Sequence, residues 1–421
     1  MAVMASGIAF MPVADAKTVT YVGVGEYRMG EGESTEIAKQ RAKEYAEQNA
    51  IEQAGVLVES ETRIINHVVA SDEVRTIAMG VLRVVGQPVY KPVVDGNGFA
   101  MIAEVKAEVE TEDIDKWFAR DQQERNMLIS QNNALQKAME EQNRLINNLQ
   151  NQLAVAKSEK EKENLRIEIK AADNSFLSVQ KSNEGNKYVY NKDYNKAMIC
   201  YSEAINLNNQ NATAYYNRGV VYDELGKFSQ AIADYTKAIA INPKFFEAYN
   251  NRGYAYDKLK DKTQAIADYT MAITINPQYS IAYYNRGNLY ADLKNYQQAI
   301  YDYTQAIAIN PKDFEAYFNR GVAYLKMTDY DYQKGVDDLS RAIEINPQFA
   351  RAYAARGVAY MLLKNYQKAI VDFTFSIAIE PNTANVYNLR GACYKELGNT
   401  TKANADFAKA KALGLSKVSS D

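Results

Sequence analysis

The stretch ATAYYNRGVVYDELGKFSQAIADYTKAIAINPKF, residues 212–245, decides the fold of most of the chain. Tyr215, Gly219 and Tyr222 stand at i, i+4 and i+7, one face of a helix. Ala231, Tyr235 and Ala238 repeat that spacing sixteen residues later, and Leu225-Gly226-Lys227-Phe228 between them reads as a short turn. Ile241-Asn242-Pro243 ends the second helix, because the proline ring pushes the residue before it out of α geometry. The unit is helix, turn, helix, stop.

The unit recurs. Self-alignment places repeats at Ser178, Ala212, Phe246, Ser280, Phe314, Ala350 and Ala384. Each has 34 residues except the fifth, which has 36, its two extra residues falling near Tyr330-Asp331-Tyr332-Gln333 between the helices. One such pair cannot bury its own faces, so copies stack on one another. A glycine returns in every first helix, at Gly185, Gly219, Gly253, Gly287, Gly321, Gly357 and Gly391. Glycine inside a helix costs about 1 kcal/mol relative to alanine, so its return marks a required close approach. The facing position holds Ala197, Ala231, Ala265, Ala299, Gly335, Ala369 and Ala403, which predicts small-on-small packing.

These residues resemble the tetratricopeptide repeat, with tyrosine where that family often has tryptophan. The family usually carries leucine before the glycine. Here the position holds Arg218, Arg252, Arg286, Arg320, Arg356 and Arg390, and the second helices carry Asp234, Asp268, Asp302, Asp338, Asp372 and Asp406. The first repeat has Glu184 and Cys200 and so lacks both members. Six ion pairs between packed helices are expected from this pattern.

The resemblance implies that the first helices line a concave groove. It further implies that the asparagine two before the glycine bonds an extended partner segment. That residue is Asn217, Asn251, Asn285 and Asn319 in repeats two to five, and Ala355 and Leu389 in the last two. Tyr216, Tyr284 and Phe318 would add apolar pockets, Tyr254 and Asn288 would face the same way, and Asp223, Asp257 and Asp292 would make part of the groove acidic. The alternative is that these asparagines cap or bridge neighbouring helices. Chaperone-binding members clamp a terminal carboxylate with a basic cluster. The corresponding residues here are Ser182, Asn186, Asn217, Glu247 and Asn251, of which only the asparagines fit, so that mode is excluded.

Ahead of the array, residues 17–117 read as a small α+β domain. Val19–Val24 is a short strand, and residues 34–54 form a helix with Ala38, Ala42, Ala46 and Ala50 as a smooth stripe, ended by Gly55. The runs Val56–Val69, Val74–Val85 and Phe99–Val109 read as β, with turn residues Asp95–Gly98 before the last. The glycine-bearing strand, the alanine helix, Val58-Glu-Ser-Glu-Thr and Ala103-Glu-Val-Lys-Ala-Glu-Val are similar to the N-terminal domain of flagellar assembly protein T and related envelope lipoproteins. That resemblance implies an exported envelope protein and no catalytic residue. Gly23-Val24-Gly25 is not a dinucleotide loop, since the third glycine of that fingerprint falls on Arg28.

Residues 118–172 carry a heptad pattern. Leu128, Leu135, Gln142, Leu149 and Ala156 recur every seven, and Asn132, Met139, Ile146 and Leu153 supply the second series of the seam, in which polar Asn132 and Gln142 would fix register. The expectation is one long helix from about Ile114 to Ala172 that self-associates as a dimer or trimer; a solitary linker helix is the alternative. Residues 1–16 resemble a clipped signal peptide: 2–14 are uncharged and end in Ala14-Asp15-Ala16, small residues at the positions signal peptidase reads. This predicts an exported protein, periplasmic or at the cell surface, with a cytoplasmic location as the alternative. The apolar run is too short to span a bilayer, and residues 418–421 form a tail.

A formal net charge of −3 gives no broad attraction for nucleic acid or anionic lipid. The lone histidine, His67, reads as a strand residue and cannot build a zinc site without nearby ligands. Cys200 and Cys393, in the first and last repeats, read as buried thiols. No cofactor, metal or catalytic constellation is expected, and the chain is not read as an enzyme. The fold class is mainly α: a solenoid of seven helix-turn-helix repeats behind a coiled-coil helix and a small α+β domain. The function expected is a scaffold of the bacterial envelope that holds a protein or peptide partner in its groove. A structural part of a surface or flagellar apparatus with no mobile client is the second reading.

Overall fold

The computed structural model describes residues 18–29, 35–64, 71–95, 98–118, 137, 140–141, 143–190, 192–327 and 331–415. The leader, His67 and the heptad positions Leu128, Asn132, Leu135, Met139 and Gln142 lie outside the described residues. The chain divides into two compact units, Met1–Gln180 and Lys181–Asp421.

The first unit is built on an antiparallel sheet of β1 (Thr18–Arg28), β2 (Arg83–Val84), β3 (Val89–Asp95) and β4 (Gly98–Glu110). β4 is central: it pairs with β1 from Thr18↔Glu110 to Arg28↔Ala100 and takes β2 and β3 on its other side. Helix α1 (Thr35–Ile64) lies on the sheet through Ala38, Ala42, Ala46 and Ala50, all fully buried. The free edge of β1 is closed by the same helix. Val24 N–H donates to Asn49 Oδ1 at 3.2 Å, and Gln53 Nε2 donates to the Val22 carbonyl at 3.2 Å. Such capping removes the hazard of an open strand edge.

Two expectations fail in this unit. Gly55 does not end α1, which runs on through Val58 to Ile64, and Val74–Val81 belongs to a second helix, α2 (Ser71–Val81), instead of a strand. The reason is the apolar spacing. Ala54 and Val58 continue the four-residue stripe and are fully buried, while Val74, Ile77, Ala78 and Val81 stand at i, i+3, i+4 and i+7 and pack on them. Valine content alone is a weak guide, because β preference mostly reflects the surface a residue packs against.

A third difference concerns residues 118–172. After α3 (Thr111–Phe118), residues 143–155 form a helix, α4, and the helical run breaks at 156–158. There Ser158 Oγ caps the next helix, α5 (Glu159–Tyr190), by accepting from Glu161 N–H at 3.2 Å. Ile146, Leu149 and Leu153 of α4 share one buried cluster with Leu165, Ile169 and Ala172 of α5. The expected single helix is therefore a hairpin, and these seam positions, read as a surface for a second copy, are covered by the chain's own return. α5 is fastened to α1 by Arg41, whose Nη2 meets Asp173 Oδ1 at 2.6 Å with both side chains almost wholly buried. The guanidinium also lies 4.9 Å from the Tyr27 ring centre and 5.3 Å from that of Phe176.

The second unit is the repeat array. The first repeat takes the end of α5 as its first helix and Tyr194–Leu207 as its second. The later first helices are Ala212–Glu224, Phe246–Lys258, Ser280–Asp292, Phe314–Lys326, Ala350–Leu362 and Ala384–Glu396. Their partners are Phe228–Ile241, Lys262–Ile275, Tyr296–Ile309, Tyr332–Ile345, Tyr366–Ile379 and Thr400–Ala412. Many helices open on a capping side chain; Asn211 and Asp313, for example, accept from Ala214 N–H and Ala316 N–H at 3.0 Å. The glycine is required by the large side chain of the second helix as well as by the small facing residue, whose carbonyl oxygen would stand 3.2 Å from a Cβ on Gly253, Gly321 or Gly391. A Cβ built on Gly219 would stand 2.7 Å from Cε1 of Tyr235, so an aromatic ring of the second helix lies flat on the first helix's backbone.

Candidate functional site

The groove is held by a frame of arginines. Arg218, Arg252, Arg286, Arg320, Arg356 and Arg390 each reach an aspartate of the same repeat through two parallel bonds, Nε and Nη2 to the two carboxylate oxygens. These bonds measure 2.7 to 2.8 Å. Arg320 and Asp338 are 18 residues apart where the others are 16 apart, which places the two-residue insertion between the helices. Each guanidinium also lies 5.5 to 5.9 Å from the centre of a tyrosine ring three residues earlier, from Tyr215 through Tyr387.

The third arginine nitrogen makes a bond that sequence reasoning missed. Nη1 donates to a hydroxyl of the preceding repeat: Ser202, Thr236, Thr270, Thr304, Ser340 and Thr374, at 2.9 to 3.2 Å. Most of these hydroxyls in turn donate to the carbonyl four residues back, as Thr270 does to Ile266 at 2.7 Å. Each arginine thus fixes both the helix pair and the contact between repeats. The signal was present in the chain. Ser or Thr stands two after the aspartate position in repeats one to six, and Ala408 stands there in the seventh. Cys200 replaces the aspartate in the first repeat, yet Ser202 is kept for Arg218.

The asparagine series is brought together on the inner helices, and it bridges repeats. Asn217 Nδ2 donates to Asn186 Oδ1 at 2.9 Å, and Asn251 Nδ2 to the Tyr216 hydroxyl at 3.1 Å. Asn285 Nδ2 donates to Asn250 Oδ1 at 3.1 Å, and Asn319 Nδ2 to Asn288 Oδ1 at 2.9 Å and to the Tyr284 hydroxyl at 3.2 Å. The bridging alternative is therefore realised through the amide nitrogen. Asn288 also accepts from the Tyr303 hydroxyl at 2.7 Å, so it is an acceptor already in use. The carboxamide oxygens of Asn217, Asn285 and Asn319 accept no hydrogen bond from the described residues.

Around them, Tyr216 packs on Phe245 with ring centres 4.7 Å apart, Phe318 is buried against Phe349, and Tyr254 is exposed under the ammonium of Lys258. A pocket of about 400 Å³ opens where repeats four, five and six meet, lined by the apolar side chains of Phe318, Val322 and Phe349, by Asn288 and Asn319, and by both charges, Asp292 and Glu315 with Lys326 and Arg351. Lys326 and Arg351 were not anticipated.

Of the three acidic residues, Asp292 is exposed and lies 3.7 Å from Lys262, whereas Asp223 is partly buried. Asp223 Oδ2 accepts from the Tyr235 hydroxyl at 2.6 Å, and its Oδ1 is buried with no hydrogen bond. Burial pushes the Asp223 carboxyl up to about 6 from 3.8, with Glu224 adding to the rise and the tyrosine opposing it. The raised value means that folding favours the neutral form. This contribution to stability is complete below about pH 4 and is lost as pH rises through about 6. Asp223→Asn, neutral throughout, is expected to raise stability at about pH 8 by about 1 kcal/mol, after discounting for partial exposure, and to change nothing at about pH 4. Urea titrations at the two pH values check this.

Family models for the tetratricopeptide repeat match residues 212–245, 246–279, 269–301 and 350–383, and a model described as TPR repeat matches 185–226 and 287–327. The array is built of tetratricopeptide repeats. Comparison with curated proteins gives no match. Among solved structures, a tetratricopeptide repeat protein from Parabacteroides merdae ATCC 43184 is 24% identical, with a TM-score of 0.43, over 57% of this chain and 94% of its own. MamA is 26% identical, TM-score 0.37, over 38% of this chain and 93% of its own. YrrB, described as a TPR protein with an unusual peptide-binding site, is 22% identical, TM-score 0.40, over 44% and 95%.

Tetratricopeptide repeats are generally interaction modules without enzymatic activity, and the chain is a protein–protein interaction scaffold. Among the described residues no helix is long and apolar enough to cross a membrane, and no group of His, Cys, Asp and Glu is placed to hold a metal. Cys200 and Cys393 are free and buried, and burial raises both thiols.

Proposed function

We propose that the chain holds an extended segment of a partner protein along the inner helices of repeats two to five, and that it does so in the bacterial envelope. The observation that carries the groove reading is the row of carboxamide oxygens on Asn217, Asn285 and Asn319. Each stands on a side chain whose nitrogen is already anchored to the preceding repeat. An anchored amide loses little freedom on binding, and its oxygen can accept from a backbone N–H of any sequence. The uncharged run 2–14 before Ala14-Asp15-Ala16 supports export.

Photo-crosslinking in the native cell tests the groove. A photoreactive residue at Asn285 is expected to give one discrete adduct that is absent when the probe stands at exposed Lys237 of the second helix. Adducts only with the chain itself, or none, would favour the structural-assembly reading. Recovery of intact Met1 from cytosol would remove the envelope assignment.

A further inference from the structure

Glu44 of α1 is an acid side chain in the interior of the N-terminal unit. The residue is 7% exposed, and both carboxyl oxygens are buried without a hydrogen bond. Three residues apart on the helix, Arg41 and Glu44 lie on one side of α1, off the alanine stripe that meets the sheet. The return helix α5 reaches this side, since Asp173 and Phe176 both meet Arg41. The guanidinium is already engaged: Nη2 meets Asp173 Oδ1 and Nη1 donates to the Tyr27 hydroxyl of β1, each at 2.6 Å. Glu47, the next charge along α1, lies 3.5 Å from Lys43. The charged and titratable groups about Glu44 are therefore Arg41 and Glu47 of α1, Asp173 of α5 and Tyr27 of β1, with the neutral amide of Gln180 from α5.

We infer that Glu44 is a proton-operated latch, which holds α5 against α1 while it is protonated and weakens that hold when it ionises. A buried carboxyl group without hydrogen bonds is tolerated as a neutral acid and opposed as an ion. Burial pushes the Glu44 carboxyl up to about 8 from 4.5; Arg41 and Gln180 oppose the rise and Glu47 adds to it. Any opening that parts α5 from α1 returns the side chain to water, where it ionises in the ordinary carboxylate range. The value in the closed state is the raised one, so the latch contributes fully below about pH 4.5 and its contribution is lost as pH rises to about 8. Over that window the opening equilibrium grows about tenfold per pH unit, and above it both states are ionised and the growth stops. The hold is tightest in acid and loosest in mild alkali. The Arg41–Asp173 pair alone would give no such trend, because both its members stay charged across the window.

Hydrogen exchange of the full chain, followed by mass spectrometry on peptides within residues 159–180 and divided by the intrinsic rate at each pH, tests this. Between about pH 5.5 and 7.5 the natural protein is expected to open about tenfold more readily for each unit, and to level off above about 8. Glu44→Gln keeps the shape and cannot ionise, so its opening should stay flat over the same range. Glu44→Met, neutral and apolar, should also be flat. A natural chain with no trend, a rise that continues past about pH 9, or the natural trend in either neutral variant overturns the inference. The plateau is read on the natural chain alone, so the result decides the matter even where a variant does not fold.

Discussion

Gly23→Ala is expected to unfold the N-terminal unit while the repeat array keeps its own melting transition. A Cβ at Gly23 would stand 1.9 Å from the carbonyl oxygen of Ala46 and 2.9 Å from Cβ of Ala50. The obstacle is backbone, so no rotamer change relieves it. Either α1 lifts from β1 or the strand shifts, and both expose the alanine stripe that forms the sheet-facing core. Overpacking costs about 1–3 kcal/mol where side chains can yield, and a clash with main chain belongs above that range. Gly25, whose added Cβ would lie 2.3 Å from Ala42 O and Ala46 N, should behave alike. Gly55 is the control. Nothing lies nearer than Val74 Cγ1 at 3.7 Å, and the residue sits inside a helix, so Gly55→Ala should stabilise by roughly 0.5–1 kcal/mol. Calorimetry of the full chain, read with limited proteolysis, separates the two units. Retention of a cooperative N-terminal transition by Gly23→Ala would defeat the account of helix-on-strand contact.

The contrast between Gly23 and Gly55 shows where the chain was readable. In the array, helix spacing, proline stops and a recurring glycine reinforce one another seven times, so element type and length follow directly. The N-terminal unit has no such repetition. The stretches Val56–Ile64 and Val74–Val81 are rich in β-branched residues, and the burial of Ala54, Val58, Ile77 and Val81 on a common face goes with their being helical. The heptads were read correctly as an apolar stripe at Ile146, Leu149 and Leu153. A stripe cannot say whether its cover comes from a second chain or from Leu165 and Ile169 a few turns on. The arginines and aspartates were legible because charge in a packed position demands a partner. Their serine and threonine contacts were equally periodic, but a small hydroxyl inside a helix, able to bond its own backbone, is ordinary enough to escape notice. For the asparagines, spacing alone could not separate bridging from presentation. The geometry assigns the nitrogen to bridging, and the oxygen takes no part in it.

The frame makes the second large prediction. Arg286→Met should destabilise the array by about 3–5 kcal/mol, because Asp302 is wholly buried and would be left with an uncompensated charge. Burial already holds the Asp302 carboxyl above its ordinary range, with Arg286 opposing the rise, so the orphan should take up a proton as pH falls. The defect of Arg286→Met is therefore expected to shrink on acidification, a trend that mere loss of packing would not produce. Adding Asp302→Leu should recover most of the loss, since an apolar pair of similar bulk can replace a buried ion pair. It should not recover all of it, because Arg286 also binds the Thr270 hydroxyl of the preceding repeat at 2.9 Å. In a stacked array that remaining defect lies in the coupling between neighbours. Urea unfolding of the double variant should therefore be broader than that of the natural chain, with repeats one to three and four to seven beginning to separate. The same pair of changes at Arg390 and Asp406 removes a link at the last interface only, through Thr374, and should leave the main transition sharp. Equal broadening at both sites would mean that the arginine acts within its own repeat alone, and that the hydroxyl bond contributes nothing to holding the groove in register.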